Sequence, residues 1–276
     1  MSTALLEVNV DLNAVPLAEV PPTPTPQYKA GDKRVSSIDG MTMVFIPEGS
    51  FVMGSATGEG DEQPQHSVHL SAYWIDQTEV TVFQYRKCVE VGACSPPHNG
   101  ECTYFQSDQQ NHPVNCLRWT DADAYCRWVG RRLPTEAEWE KATRGSDGRI
   151  FTWGNQFNGT LLNYCDVNCP ASWKDSAFND GYSYTAPAGS YPSGASPYGV
   201  LDMLGNEWEW VADWYDANYY SYTPFSNPTG PNSGEKKVAR GGSWNTGRND
   251  VRAANRYSDY PDSRGAYYGF RCALSQ

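Results

Sequence analysis

The sequence predicts a mixed α+β domain with little regular secondary structure, and three observations predict it. Short apolar runs with strand character fall between residues 43 and 75, and three stretches between residues 78 and 144 have helical character, two of them opened by capping signatures. From residue 145 to 233, Gly, Asn, Asp, Pro and Tyr dominate and periodicity is scarce. Segment 240–273, RGGSWNTGRNDVRAANRYSDYPDSRGAYYGFRCA, continues that irregular character between two stiff ends. Its Asn, Asp, Ser and Tyr residues make adaptable polar and broad aromatic contacts, so the segment is expected to form a scaffolded binding surface.

In chain order, residues 1–37 are a tail or linker, with Pro21-Pro22-Thr23-Pro24-Thr25-Pro26 an extended stalk, and residues 38–276 are the globular domain. No charged region followed by an apolar one opens the sequence as it stands, and a stalk before a cysteine-rich domain suggests that an export signal has been removed. Residues 43–54 (MVFIPEGSFVMG) read as two short strands around a Pro-Glu-Gly turn, and residues 68–75 as one further strand. Residues 78–91 read as a helix. Two more helices, ending near Val129 and Arg144, start at capping boxes of Thr120 with Asp123 and Thr135 with Glu138.

Composition limits the partners. The 276 residues are 39% hydrophobic and 13% aromatic, enough for a sizeable core, and no apolar run approaches the roughly 18 residues needed to span a membrane. With 21 Lys+Arg against 32 Asp+Glu, the net charge of -11 disfavours nucleic acid or an anionic membrane.

Eight cysteines are an even count. Pairing Cys88 with Cys94, Cys102 with Cys116 and Cys165 with Cys169 closes short loops and leaves Cys126 and Cys272 to join distant parts, which implies an oxidising, secreted or cell-surface location. Zinc is the competing reading, although Cys-x5-Cys and Cys-x3-Cys lack a second matching knuckle, and free buried thiols are a third. The long irregular stretch also calls for staples. Residues 202–210 place Glu207 and Glu209 on one strand face and Trp208 and Trp210 on the other; these carboxylates, and separately Asn163 with Asp180, suit calcium.

Several motifs together resemble the formylglycine-generating-enzyme, or sulfatase-modifying-factor, domain: MVFIPEGSFVMG (43–54), QTEVT (77–81), RLPTEAEWE (132–140), GNEWEW (205–210), RGGSW (240–244) and GFRC (269–272). The resemblance spans residues 40 to 274 and implies a C-type-lectin-like fold of the α+β class with two structural calcium ions. Carried over by motif, one calcium falls on Asn163, the Tyr164 backbone, Asp180 and the Tyr182 backbone. The other falls on Asp202, the Gly205 and Glu207 backbones, and Glu209. The long-range disulfide falls again on Cys126 and Cys272.

The departure from that family lies after the Gly-Gly-Ser motif. Its enzymes hold copper(I) between two cysteine thiolates while oxidising a sulfatase cysteine, and copper(I) needs soft sulfur ligands. Here the first thiolate position aligns with Thr246 and the second with Asp250 or Val251, so copper is expected to be absent and the oxidase chemistry with it. His66, His69, His98 and His112 show no helical metal spacing, and Ser243 has no identifiable base, so neither offers another catalytic centre.

Segment 240–273 is also similar to the C-terminal part of diversity-generating retroelement variable proteins. Adenine mutagenesis there never yields Lys, Glu, Gln, Met or Trp, and residues 245–268 contain none of the five. The expectation is a non-catalytic module that binds a protein or glycan through Trp208, Trp244, Asn245, Thr246, Asn249, Asp250, Tyr257, Asp259, Tyr260, Ser263, Tyr267 and Tyr268. Arg256 and Arg264 are expected to hold the loops by pairing with acids or carbonyls. The alternatives are an oxidoreductase acting on a protein side chain and a purely structural accessory domain.

Overall fold

A computed structural model describes residues 28–98 and 102–276. The stalk at 21–26 lies outside the described residues. The domain begins earlier than residue 38, because Tyr28 packs edge-on against Trp74 at 4.8 Å and β1 (Lys33–Val35) pairs with β2 (Thr42–Ile46).

The two strands expected around Pro47-Glu48-Gly49 form as β2 and β3 (Gly49–Met53), yet they do not pair with each other. Gly49 sits at φ +143°, and the chain there crosses from one sheet to the next. The strand expected over 68–75 likewise divides at Ser71-Ala72 into β4 (His66–Leu70), which pairs with β3, and β5 (Tyr73–Asp76), which pairs with β2. At that corner the Ser71 amide donates to the Asn227 side chain at 2.8 Å, a partner 156 residues away that no local pattern shows.

Alternation along β2 divides the core. Met43 and Phe45 enter one apolar cluster with Trp74, while Val44 and Ile46 enter a second with Tyr73 and Ile75. A sheet ordered β1-β2-β5-β10, with β10 (Ala273–Ser275) last, thus lies between two cores.

Three helices pack beside it. α1 (Val82–Glu90) starts later than expected: Thr81 and Gln84 form the capping box, while residues before it are tied to strands, as in the Val80 amide bond to the Phe270 carbonyl. α2 (Trp119–Trp128) is capped by Arg118 with Asp121, which places Thr120 inside the first turn and leaves Asp123 to pair with Arg127 at 2.8 Å. α3 (Glu136–Arg144) starts at the expected Thr135–Glu138 box, and all nine of its residues are buried. Some of its charges are paired locally, Glu140 with Arg144 and Glu138 with Arg132, and others from afar: Glu140 by Arg240, Glu136 by Arg256 and Lys141 by the Pro47 and Gly49 carbonyls.

The second four-stranded sheet runs β8-β7-β6-β9, made of β6 (Trp208–Trp214), β7 (Lys237–Arg240), β8 (Arg256–Asp259) and β9 (Tyr268–Phe270). β9 is parallel to β6, which draws the end of the C-terminal segment into the core. The four expected disulfides are formed, and Cys126–Cys272 joins α2 to the link between β9 and β10. No helix among the described residues is long and apolar enough to cross a membrane.

Candidate functional site

The site begins where β7 ends. Gly241 and Gly242 adopt φ of +100° and +80°, and a Cβ on Gly242 would stand 2.7 Å from Val251, so only glycine allows this turn. Beyond it Ser243 is buried, its hydroxyl bonded to Thr246 Oγ1 and Asn245 Oδ1 at 2.9 Å each, a structural role. The Thr246 carbonyl accepts the Cys165 amide at 3.0 Å, fixing the loop to the small Cys165–Cys169 ring.

Between this loop and the edge of β8 opens a cleft of about 970 Å³. One wall is aromatic: Trp208 stacks on Tyr257 at 4.9 Å, and Tyr267 stands beside them. Asn245, Thr246, Asn249 and Asp250 form the polar wall. A third wall, residues 173–176, was not foreseen. Its Trp173 is 66% exposed, and its indole N–H is pinned to the Asn245 carbonyl at 3.1 Å, so the ring face is held open toward solvent. A solitary Trp in a Ser-Trp-Lys-Asp loop was the one available signal. Asn255, next to Arg256, is 6% exposed and also lines the cleft.

Arg256 lies under the cleft and is not free to meet ligand. Both of its Glu136 contacts are short, at 2.7 and 2.9 Å, and Tyr220 lies 4.3 Å from it. Burial works to raise the Glu136 carboxyl, but Arg256 and Arg240 outweigh it and hold it below its ordinary range. Among the described residues, no ion pair or hydrogen bond engages the Arg264 side chain.

Five expected contact residues lie off the cleft. Tyr268 is 1% exposed, stacks on Trp210 at 4.6 Å and donates to Asp259 at 2.7 Å, so both belong to the side-chain packing across the β8-β7-β6-β9 sheet. Trp244 turns its indole N–H to the Ala266 carbonyl and lines a separate cavity of about 170 Å³. Tyr260 is 54% exposed beside Lys236, and Ser263 closes a turn onto the Tyr260 carbonyl.

The expected metal ligands gather as two groups. In the first, Asp180 accepts the Tyr164 amide at 3.0 Å and the Tyr182 amide at 2.8 Å, and burial with Asp166 nearby pushes its carboxyl up to about 6. Asn163 Oδ1 is buried without a partner. In the second, Asp202 and Gly205 take positive φ, and the Glu207 side chain is buried with neither oxygen bonded. Glu209 differs from expectation: Arg271 holds its two oxygens at 2.6 and 2.7 Å, and Trp139 adds a bond of 2.9 Å. Glu79, absent from the expected set, lies against Asp202, and burial pushes both carboxyls up. Among the described residues no three His, Cys, Asp or Glu side chains converge as a metal cluster. His66 bonds the nearby Pro64 carbonyl, and His112 bonds the Thr185 hydroxyl from 73 residues away.

Fold and site together define a C-type-lectin-like domain of the formylglycine-generating-enzyme type. A family model described as "Sulfatase-modifying factor enzyme 1-like domain" matches residues 29–276, and the chain belongs to that family. The formylglycine-generating enzyme of Streptomyces coelicolor is 35% identical over 279 residues, covering 83% of this chain and 88% of that one. PvdO from Pseudomonas aeruginosa superposes with a TM-score of 0.74 at 26% identity, over 91% of this chain and 100% of its own. Treponema denticola variable protein 1 shares the fold with a TM-score of 0.70 at 22% identity, over 89% and 99%.

Proposed function

We propose that this chain is a non-catalytic binding module, secreted or displayed at a cell surface, that docks a protein or glycan in the cleft lined by its C-terminal segment. One observation carries the reading. All eight cysteines are engaged in disulfides, while the thiolate positions of the family's enzymes hold Thr246, bonded to Ser243, and fully buried Val251 or exposed Asp250. A copper(I) ion needs soft sulfur, and neither a hydroxyl, an aliphatic chain nor a carboxylate supplies it. The residues do not fit copper, and no oxidation step is derived through it.

What the cleft offers is preorganisation. Trp208 and Tyr257 support each other, Trp173 is pinned, and the polar wall is tied to a disulfide ring, so little freedom is lost on docking. Its kinship with a variable protein's fold supports the assignment of segment 245–268 as the diversified surface. The four disulfides support an oxidising compartment, and the net charge of -11 supports a partner other than nucleic acid.

Calcium fits the first group of hard oxygens, where the orphaned Asn163 Oδ1 lies with Asp180 and the Tyr164 and Tyr182 backbones. Bound there, it would cross-link loops that have little secondary structure of their own. Calcium at a hundredfold excess over Kd adds about 2.7 kcal/mol per site. For a domain of this size that corresponds to roughly 5–10 °C. Calorimetry with calcium and with EDTA measures it, and identical melting in both contradicts the calcium reading.

The functional test probes a random-peptide display library and a glycan array with the wild type and with a Trp173→Ala, Tyr257→Ala variant. Capture by the wild type alone, at equal melting temperature, is the expected result. Equal capture by both, or capture by neither, contradicts the cleft as docking surface.

A further inference from the structure

None of the described residues lining the cleft beside β8 is Ala, Val, Leu, Ile, Met or Phe; its large apolar faces are the rings of Trp173, Trp208, Tyr257 and Tyr267. Apolar anchors of a protein partner fill enclosing hydrophobic pockets, whereas this cleft offers flat faces set among polar groups. Those faces are held in place, the Trp173 indole by the Asn245 carbonyl and Trp208 by its stack on Tyr257. Deep among them lies Asn255, 6% exposed. Its amide donates to the Arg252 carbonyl and its own carbonyl accepts Arg240, so its backbone is engaged. Its side-chain carboxamide, by contrast, makes no hydrogen bond among the described residues and faces the cleft. A carboxamide so nearly buried is costly without partners, so its two donors and its acceptor are free for a ligand.

Charge narrows the class of ligand. Arg248 stands 3.5 Å from Asp175, Arg256 is held by Glu136, and the Lys174 amine donates to the Val167 carbonyl, so every cation of the lining has a partner. The acids Glu59 and Asp250 have no ion pair among the described residues. A carboxylated or sulfated ligand is therefore repelled by the cleft, as it is by the net charge of -11.

We propose that the cleft takes a neutral oligosaccharide, with the C–H face of a pyranose on Trp173 and its hydroxyls paired with the Asn255 carboxamide. Each sugar hydroxyl is at once donor and acceptor, so two neighbouring hydroxyls answer both ends of Asn255. The flat face of an indole suits a ligand that is apolar on one side and wet around its rim. Room for more than one sugar comes from a second hollow of about 450 Å³, which shares Glu59, Arg248 and Asn249 with the cleft. The inference rests on the docking role of the cleft argued in the preceding section, and it selects glycan over protein there.

An array of neutral gluco-, manno- and galacto-oligosaccharides, with sialylated and sulfated counterparts and a random-peptide library beside it, tests the assignment. The wild type is expected to retain at least one neutral oligosaccharide and none of the acidic counterparts. Asn255→Ala is expected to weaken that retention about tenfold, as the loss of one or two hydrogen bonds to ligand does. Its melting temperature stays unchanged, because the carboxamide has no partner within the protein. Trp173→Ala, at an exposed position, is expected to abolish retention, again without a loss in melting temperature. Unchanged retention in either variant, a preference for the acidic counterparts, or no neutral sugar retained by the wild type overturns the assignment. In that last case, peptide capture that is lost in the Trp173→Ala, Tyr257→Ala variant leaves the cleft standing as a protein-docking site. Capture of neither sugar nor peptide removes the docking reading as well.

Discussion

Tyr257 and Tyr268 are the same residue type in the same irregular-looking segment, and their neighbours give them opposite work. Tyr268 is enclosed by Trp210, Asp259 and the parallel pairing of β9 with β6, whereas Tyr257 is 41% exposed on the cleft wall. Truncating a fully buried ring costs about 3–5 kcal/mol. Tyr268→Ala is therefore expected to lower the urea midpoint sharply, and Tyr257→Ala by less than about 1 kcal/mol. Equal losses in the two variants would show Tyr257 to be core. Tyr268 was expected on the docking face because its burial depends on a strand pairing that spans 60 residues. Trp208, Asn245, Thr246, Asn249, Asp250, Tyr257 and Tyr267 were legible because they follow the Gly-Gly turn and the alternation of β6, which are local.

At the scale of elements, α3 holds the C-terminal segment in place. Glu136 and Glu140 reach Arg256 and Arg240, and Glu62, in the link between β3 and β4, reaches Arg252 at 2.7 Å, so three arginines of the segment end on buried acids. Removing one member of a buried pair costs about 3–5 kcal/mol, because the survivor is left unpaired. Glu136→Gln is expected to show that loss by denaturation, and also to weaken capture in the cleft, since Arg256 then loses its fixed position. Unchanged stability would contradict the role of the pair. The sequence of α3, EAEWEKATR, resembles a solvated helix, and its burial was not legible. Arg144 and Arg132 answer Glu140 and Glu138 locally, but the further counter-charges that let the helix be buried, Arg240 and Arg256, lie about a hundred residues away, and no local period reports them. Capping at Thr135, by contrast, needs only three residues and was found.

Over the whole molecule, buried acids set the pH response. Burial, with Glu136 close by, pushes Asp213 from an ordinary 3.8 up to about 8. Between about pH 4 and pH 8 the folded protein keeps a proton there that the unfolded chain releases, so stability falls as pH rises through that window. The fall is at most about 1.4 kcal/mol per pH unit for this one group. Asp213→Asn is expected to flatten the decline between pH 5 and 8, read as the difference in melting temperature; an unaltered decline would place its origin elsewhere. The most direct measurement of all concerns sulfur. Purified protein is titrated with copper(I) against a chromophoric chelator, then supplied with oxygen and a cysteine peptide of the sulfatase type. With every thiol in a disulfide and Thr246 where a thiolate would stand, the chelator is expected to keep the copper and the peptide mass to stay constant. One copper ion withdrawn per chain, accompanied by conversion of the peptide cysteine to formylglycine, would contradict the account of a non-catalytic binding module.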